Sequence, residues 1–210
     1  MIDRKLKEMI GQMIMVGFQE AELTGDSPVA RAVKDFSLGG VVLYNIDLRC
    51  FLEEQQKKPE VTREEAARIC PRNIISPEQI RDLTSRLKSY AKIPLLIAAD
   101  QEGGLVSRLG PAAGFPETPS PERLGEKDEI MATWKAAGAI AADLGGSGIN
   151  LNLAPVKEGS SDHQRKSYEF YGKRPGSFHI FLPGSFGDGT YIPVRKRSSL
   201  RRKNHRHSGG

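Results

Sequence analysis

Apolar positions along the first three quarters of the chain change period in a regular way. Leu6, Met9, Ile10 and Met13 follow the i, i+3, i+4, i+7 spacing of a helix that buries one face, which predicts an opening helix with its methionine stripe in the core. Ser27 and Pro28 read as N-cap and first helical residue of a second helix, with Val29, Val33 and Phe36 inward. Leu38-Gly39-Gly40 closes it, and the unbroken run VVLY at 41–44 fits a buried parallel strand. From 47 to 73 the text turns polar, with LEEQQKK and a Thr62-to-Glu65 capping box, so a solvated insertion carrying a short surface helix is expected there. Ser76-Pro77-Glu78-Gln79 opens a further helix whose inner face is Ile80, Leu83, Leu87 and Tyr90. Pro94, tolerated at the start of a strand, leads the run LLIAA to Asp100. A last helix places Ile130, Trp134, Ala137, Ala141 and Leu144 on one side and stops at Gly145-Gly146, feeding a third apolar run at 149–156.

Strand, helix, strand, helix, strand, with each strand an apolar run, is the pattern of βαβ units and a parallel sheet, so the fold class is α/β. Pattern alone does not separate an open sheet from a barrel. The glycines at 145, 146 and 148 precede a strand, whereas a dinucleotide fingerprint needs them after a strand and opening a helix. No phosphate loop ending in Gly-Lys-Ser/Thr occurs either. At 210 residues the chain falls short of the ~250 typical of a complete eight-fold β/α barrel.

Charge divides the chain. Residues 157–210 hold 12 Lys and Arg against 4 Asp and Glu, a balance of +8, while residues 1–156 carry −3. All four histidines, His163, His179, His205 and His207, lie in the later part. The expected organisation is therefore one unit over 1–156 and a basic, low-order tail over 157–210. Three readings of the tail stand side by side: a change of reading frame near codon 157, which is preferred; a basic arm for nucleic acid centred on the cluster 195–206, which no aromatic stacking platform accompanies; and a metal site at His205 and His207, which lacks a supporting shell. Cys50 and Cys70 flank the polar insertion outside any CxxC or zinc-type cluster and are expected to remain unpaired thiols. The N-terminus lacks the uninterrupted hydrophobic core of a signal peptide, and no segment approaches the ~18 apolar residues of a membrane span, so the expectation is a cytoplasmic protein with no membrane partner.

The run IAADQEGGLVSR at 97–108 carries the most chemistry. A strand ending at Asp100 puts its carboxylate on the edge where parallel α/β folds collect ligands, and the two glycines beyond allow a tight turn or close approach to a ligand. An ionised Asp there accepts hydrogen bonds from two neighbouring sugar hydroxyls, and Arg108 donates to the same ligand; alternatively, Asp100 or Glu102 caps the next segment and pairs with Arg108. On residues alone both stand.

The runs GGVVLYN at 39–45, RNIISPEQIRDLT at 72–84, PLLIAADQEGGLVSRL at 94–109, GFPETPSPERLG at 114–125 and GINLNLAPV at 148–156 together resemble the N-terminal domain of glycoside hydrolase family 3, in its bacterial β-N-acetylhexosaminidase branch. The resemblance implies the first part of a (β/α)8 barrel, an N-acetylglucosaminide substrate, and no cofactor or metal. It also implies that Asp100 and Arg108 contact the sugar, while Glu102 stays structural. The mechanism it implies is retaining: a carboxylate attacks the anomeric carbon, a second group protonates the leaving oxygen, and water completes hydrolysis. The family pattern takes the acid/base from a histidine in a KHFPGHG-like loop and the nucleophile from an Asp on a later strand. After Val156 this chain reads KEGSSDHQRKSYEF, with neither feature, so no catalytic residue is assigned and the chain as written is expected to be inactive. The competing expectation is a non-catalytic βα scaffold whose basic tail binds nucleic acid.

Overall fold

The computed structural model describes residues 3–154, together with the backbone of two short strands at His179–Ile180 and Ile192–Pro193, which pair antiparallel. The basic cluster at 195–206 and the His205/His207 pair lie outside the described residues.

Four strands form one parallel sheet in the order β1-β2-β3-β4: β1 Met15–Gly17, β2 Gly40–Val42, β3 Leu96–Ala99 and β4 Leu151–Asn152. Val16 pairs with Val41, Val41 with Ile97, and Ala98 with Leu151. The α/β class with a parallel sheet holds. Sequence patterning foresaw three strands; β1 is the addition, a three-residue strand that uses backbone pairing with β2 and needs no long apolar run. Among the described residues β1 and β4 are each unpaired on their outer side.

The helices are α1 (Arg4–Gln12), α2 (Pro28–Phe36), α3 (Leu48–Lys57), α4 (Arg63–Ile69), α5 (Pro77–Tyr90), α6 (Pro121–Lys127) and α7 (Ile130–Gly146). Caps define the starts of α4 and α5. Thr62 and Glu65 satisfy each other's backbone N–H groups at α4, while Ser76 Oγ accepts from Gln79 N at α5. Ile80, Leu83 and Leu87 of α5 meet Val29 and Val33 of α2 and the strand residues Val41 and Ile97 in one core, each nearly or fully excluded from water. Full burial of each such side chain is worth about 1.5–3 kcal/mol.

Three expectations of burial fail. The apolar stripe of α1 is exposed, with Met9 at 57% and Met13 at 87%. The helix touches its neighbours instead through Gly11, whose missing side chain lets the backbone rest against the Phe36 carbonyl. Phe36 is itself exposed, because α2 buries only Val29, Ala30 and Val33 before the chain turns at left-handed Ser37 (φ 53°). On α7 Leu144 is buried as expected, but Ala136 and Ile140 turn inward in place of Ala137 and Ala141, and Ile130 and Trp134 lie outward.

The insertion holds two helices, α3 as well as the expected one. Its ends run back antiparallel: Asp47 N donates to Cys70 O at 2.8 Å, Arg72 N to Asn45 O at 3.3 Å and Asn73 N to Tyr44 O at 2.9 Å. That pairing brings the Cα atoms of Cys50 and Cys70 to 5.6 Å, and the two cysteines form a disulfide. The expectation of unpaired thiols is thus corrected. Sequence spacing does not reveal that a chain folds back on itself.

Candidate functional site

The C-terminal ends of the four strands lie side by side because all are parallel, so the residues just beyond them share one rim. Asp100 follows β3, Tyr44 and Asn45 lie just past β2, and Phe18 follows β1.

Asp100 and Arg108 are brought together. Arg108 Nη2 donates to Asp100 Oδ2 at 3.0 Å, and both side chains are about four-fifths buried, at 17% and 20% exposure. Reduced solvent access makes such a charge-assisted bond stronger than its exposed counterparts. Asp100 Oδ1 accepts no hydrogen bond from any described residue. The Arg108 guanidinium also lies over the Tyr44 ring, 5.6 Å from its centroid.

The loop from 101 to 109 is held by a residue that sequence reading passed over. Gln101 is 1% exposed and uses both ends of its amide: Oε1 accepts from Arg108 N at 2.7 Å and Leu109 N at 2.9 Å, and Nε2 donates to Ser107 Oγ at 2.8 Å and Leu109 O at 3.0 Å. A glutamine between two acids carries no signal of this role. Gly103 and Gly104 both have positive φ, 96° and 61°, and run against Pro119 and Ser120, where a side chain on Gly103 would strike the Pro119 carbonyl. Their purpose here is the tight turn. Glu102 N donates to Val106 O across that turn.

Asparagines stitch the strand ends. Asn152 Nδ2 donates to Gln101 O at 3.0 Å while its Oδ1 accepts from Gln101 N at 3.1 Å, which extends the β3–β4 pairing by side chain. Asn73, fully buried, accepts from Tyr44 N and donates to Phe18 O and Glu20 O. Its neighbour Arg72 donates from Nε to Phe18 O at 2.7 Å and covers the other contact on Tyr44, at 5.0 Å from the ring centroid. Two buried polar atoms on this rim, Asn45 Oδ1 and Arg108 Nε, have no partner among the described residues.

Asp47, the N-cap of α3, has its carboxyl held below the usual range, chiefly by the hydrogen bond it accepts from Cys50 N. Among the described residues no group of three or more His, Cys, Asp or Glu is arranged to hold a metal, and no helix is long and apolar enough to cross a membrane. A cavity of about 720 Å³ lies between α6 and α7, lined by Glu117, Arg123, Lys127, Glu129 and Lys135 among others, but none of Asp100, Arg108 and Tyr44 borders it.

Comparison with known proteins gives a consistent set of relatives. The glycosyl hydrolase family 3 N-terminal domain matches residues 5–181. A β-hexosaminidase of Alkalilimnicola ehrlichii is 37% identical over 91 residues, covering 40% of this chain and 26% of that protein. One of Neisseria meningitidis is 38% identical over 92 residues, covering 40% and 25%. The chain thus spans about a quarter of the curated relatives it matches. Among solved structures, a family 3 β-N-acetylglucosaminidase from Paenibacillus superposes with a TM-score of 0.56 at 28% identity, over 71% of this chain and 24% of that one. A fungal multi-domain β-N-acetylglucosaminidase gives 0.53 at 30% identity, over 71% and 15%.

Proposed function

Because the chain belongs to the glycosyl hydrolase family 3 N-terminal domain family, we propose that its four strands are the opening strands of a β/α barrel whose rim holds the sugar of an N-acetylglucosaminide. The observation that carries this reading is the half-open carboxylate of Asp100. Arg108 fixes one oxygen and leaves the other directed to a ligand, which suits two neighbouring hydroxyls of a pyranose. Arg108, pinned by Tyr44 and by Gln101, serves as the second substrate contact. The sugar named by the relatives, N-acetylglucosamine, is carried over to this chain as the ligand class.

The family reaction is hydrolysis of an O-glycosyl bond by a retaining pair of catalytic groups. This chain binds without turnover: it has no histidine before His163 and no KHFPGHG-like run to supply the acid/base. Titration of the 210-residue chain with N-acetylglucosamine, followed by NMR, is the test. Saturable shifts at the 100–109 loop, weakened at least tenfold by Asp100→Asn in a variant with unchanged melting, are expected. Absence of saturable binding refutes the sugar site. Release of nitrophenol from 4-nitrophenyl N-acetyl-β-glucosaminide, lost on Asp100→Asn, refutes the claim of no turnover.

A further inference from the structure

Four of the described arginines form ion pairs within the fold. Arg68 pairs with Glu64, Arg81 with Glu78, Arg86 with Asp82 and Arg108 with Asp100. Arg72 is different. It makes no ion pair with a described carboxylate, although it is only partly exposed and firmly placed. Its Nε is spent on Phe18 O, its guanidinium lies over the Tyr44 ring, and its Nη2 lies beside Gly17, 3.3 Å from where a Cβ would stand. Asp47, whose carboxyl feels the Arg72 charge, is committed to Cys50 N at 2.9 Å and to Gln19 Nε2 at 2.7 Å. The terminal nitrogens of Arg72 therefore have no partner among the described residues, and none of them is a buried orphan.

A guanidinium whose Nε is anchored and whose stem is held in place offers its terminal N–H groups in a fixed direction, the geometry that suits a carboxylate or phosphate. Arg72 also shares Tyr44 with Arg108: both guanidinium carbons lie within 6 Å of the ring centroid, so they stand within the span of a disaccharide. The position is set by the insertion, whose disulfide-closed base ends two residues before Arg72.

We propose that Arg72 receives an anionic group, a carboxylate or phosphate, on the unit joined to the sugar held at Asp100, and so selects acidic over neutral glycosides. The inference rests on the sugar reading of Asp100 but reads a different residue. The test is calorimetric titration of the 210-residue chain with three probes: neutral N,N′-diacetylchitobiose, the disaccharide of N-acetylglucosamine β-linked to glucuronic acid, and N-acetylglucosamine 1-phosphate. One or both acidic probes should bind at least tenfold tighter than chitobiose, and which of them does so identifies the anion. The preference should shrink as sodium chloride is raised from 20 to 300 mM, a measurement that needs no variant. Arg72→Gln should remove the preference while leaving chitobiose affinity unchanged, and Arg72→Lys should restore part of it. Equal binding of all three probes by the unaltered chain overturns the role of Arg72 and leaves Asp100 standing. Failure of every probe to bind overturns both.

Discussion

Replacing Gln101 by Met would test how much of the rim depends on one buried amide. The substitution roughly preserves side-chain volume, so it isolates the polar loss from any cavity. Two backbone donors, Arg108 N and Leu109 N, lose an acceptor that is itself almost wholly buried. Leu109 O does not, since it keeps its bond from Ser107 Oγ at 2.9 Å. Each orphaned N–H costs about 1–3 kcal/mol, and the methionine recovers a part through apolar contact, so a net loss of about 3 kcal/mol is expected. Urea unfolding of the full chain measures it: the midpoint should fall with the slope unchanged, the sign that stability and not compactness was altered. The same variant should bind N-acetylglucosamine more weakly, because the backbone that presents Arg108 is released. A loss below about 1 kcal/mol would show that the loop holds its shape without Gln101, and the description of that residue as its anchor would fail.

Three further outcomes follow from other parts of the molecule. Reduction of the Cys50–Cys70 disulfide, or Cys50→Ser, frees a loop with a sequence separation of 20 and should lower stability by about 3 kcal/mol in urea titration; no change between oxidised and reduced samples would contradict the pairing. Gly103→Ala combines a positive φ with a collision against the Pro119 carbonyl and should cost about 1–3 kcal/mol or more, read as a fall in melting temperature, whereas Gly138→Ala, with open space around it, should not destabilise. Burial raises the carboxyl of Asp143 above its ordinary value. A carboxyl raised in the folded state favours folding when protonated, and that advantage is lost as pH climbs from the unfolded value through the folded one. Asp143→Asn should therefore stabilise the protein at pH 7 relative to the parent, with the gain shrinking toward pH 3; a gain equal at both pH values would point to a cause other than ionisation.

What could be read in the sequence was local. The starts of α2, α4 and α5 were legible in Ser27-Pro28, Thr62-Glu65 and Ser76-Pro77 because capping is settled within four residues. The strands β2 and β3 were legible as apolar runs. Burial of α1 and α7 was not, since a periodic stripe says that a face is apolar and not what stands opposite it. The disulfide and β1 were missed for the same reason: both depend on distant segments returning to one another. At the rim, Asp100 and Arg108 were found through a motif nine residues long, while Tyr44 and Arg72, separated by the whole insertion, meet only in three dimensions.

The unbroken 1-2-3-4 order of the sheet has a consequence for how the protein is made. Each strand pairs with the strand synthesised just before it, so a chain emerging from the ribosome can zip the sheet in step with translation, never waiting for a later partner to fix register. Asp100 and Arg108 would then be joined while β4 is still inside the exit tunnel. The sugar-facing pair is in this sense an early product of biosynthesis, complete before β4 arrives.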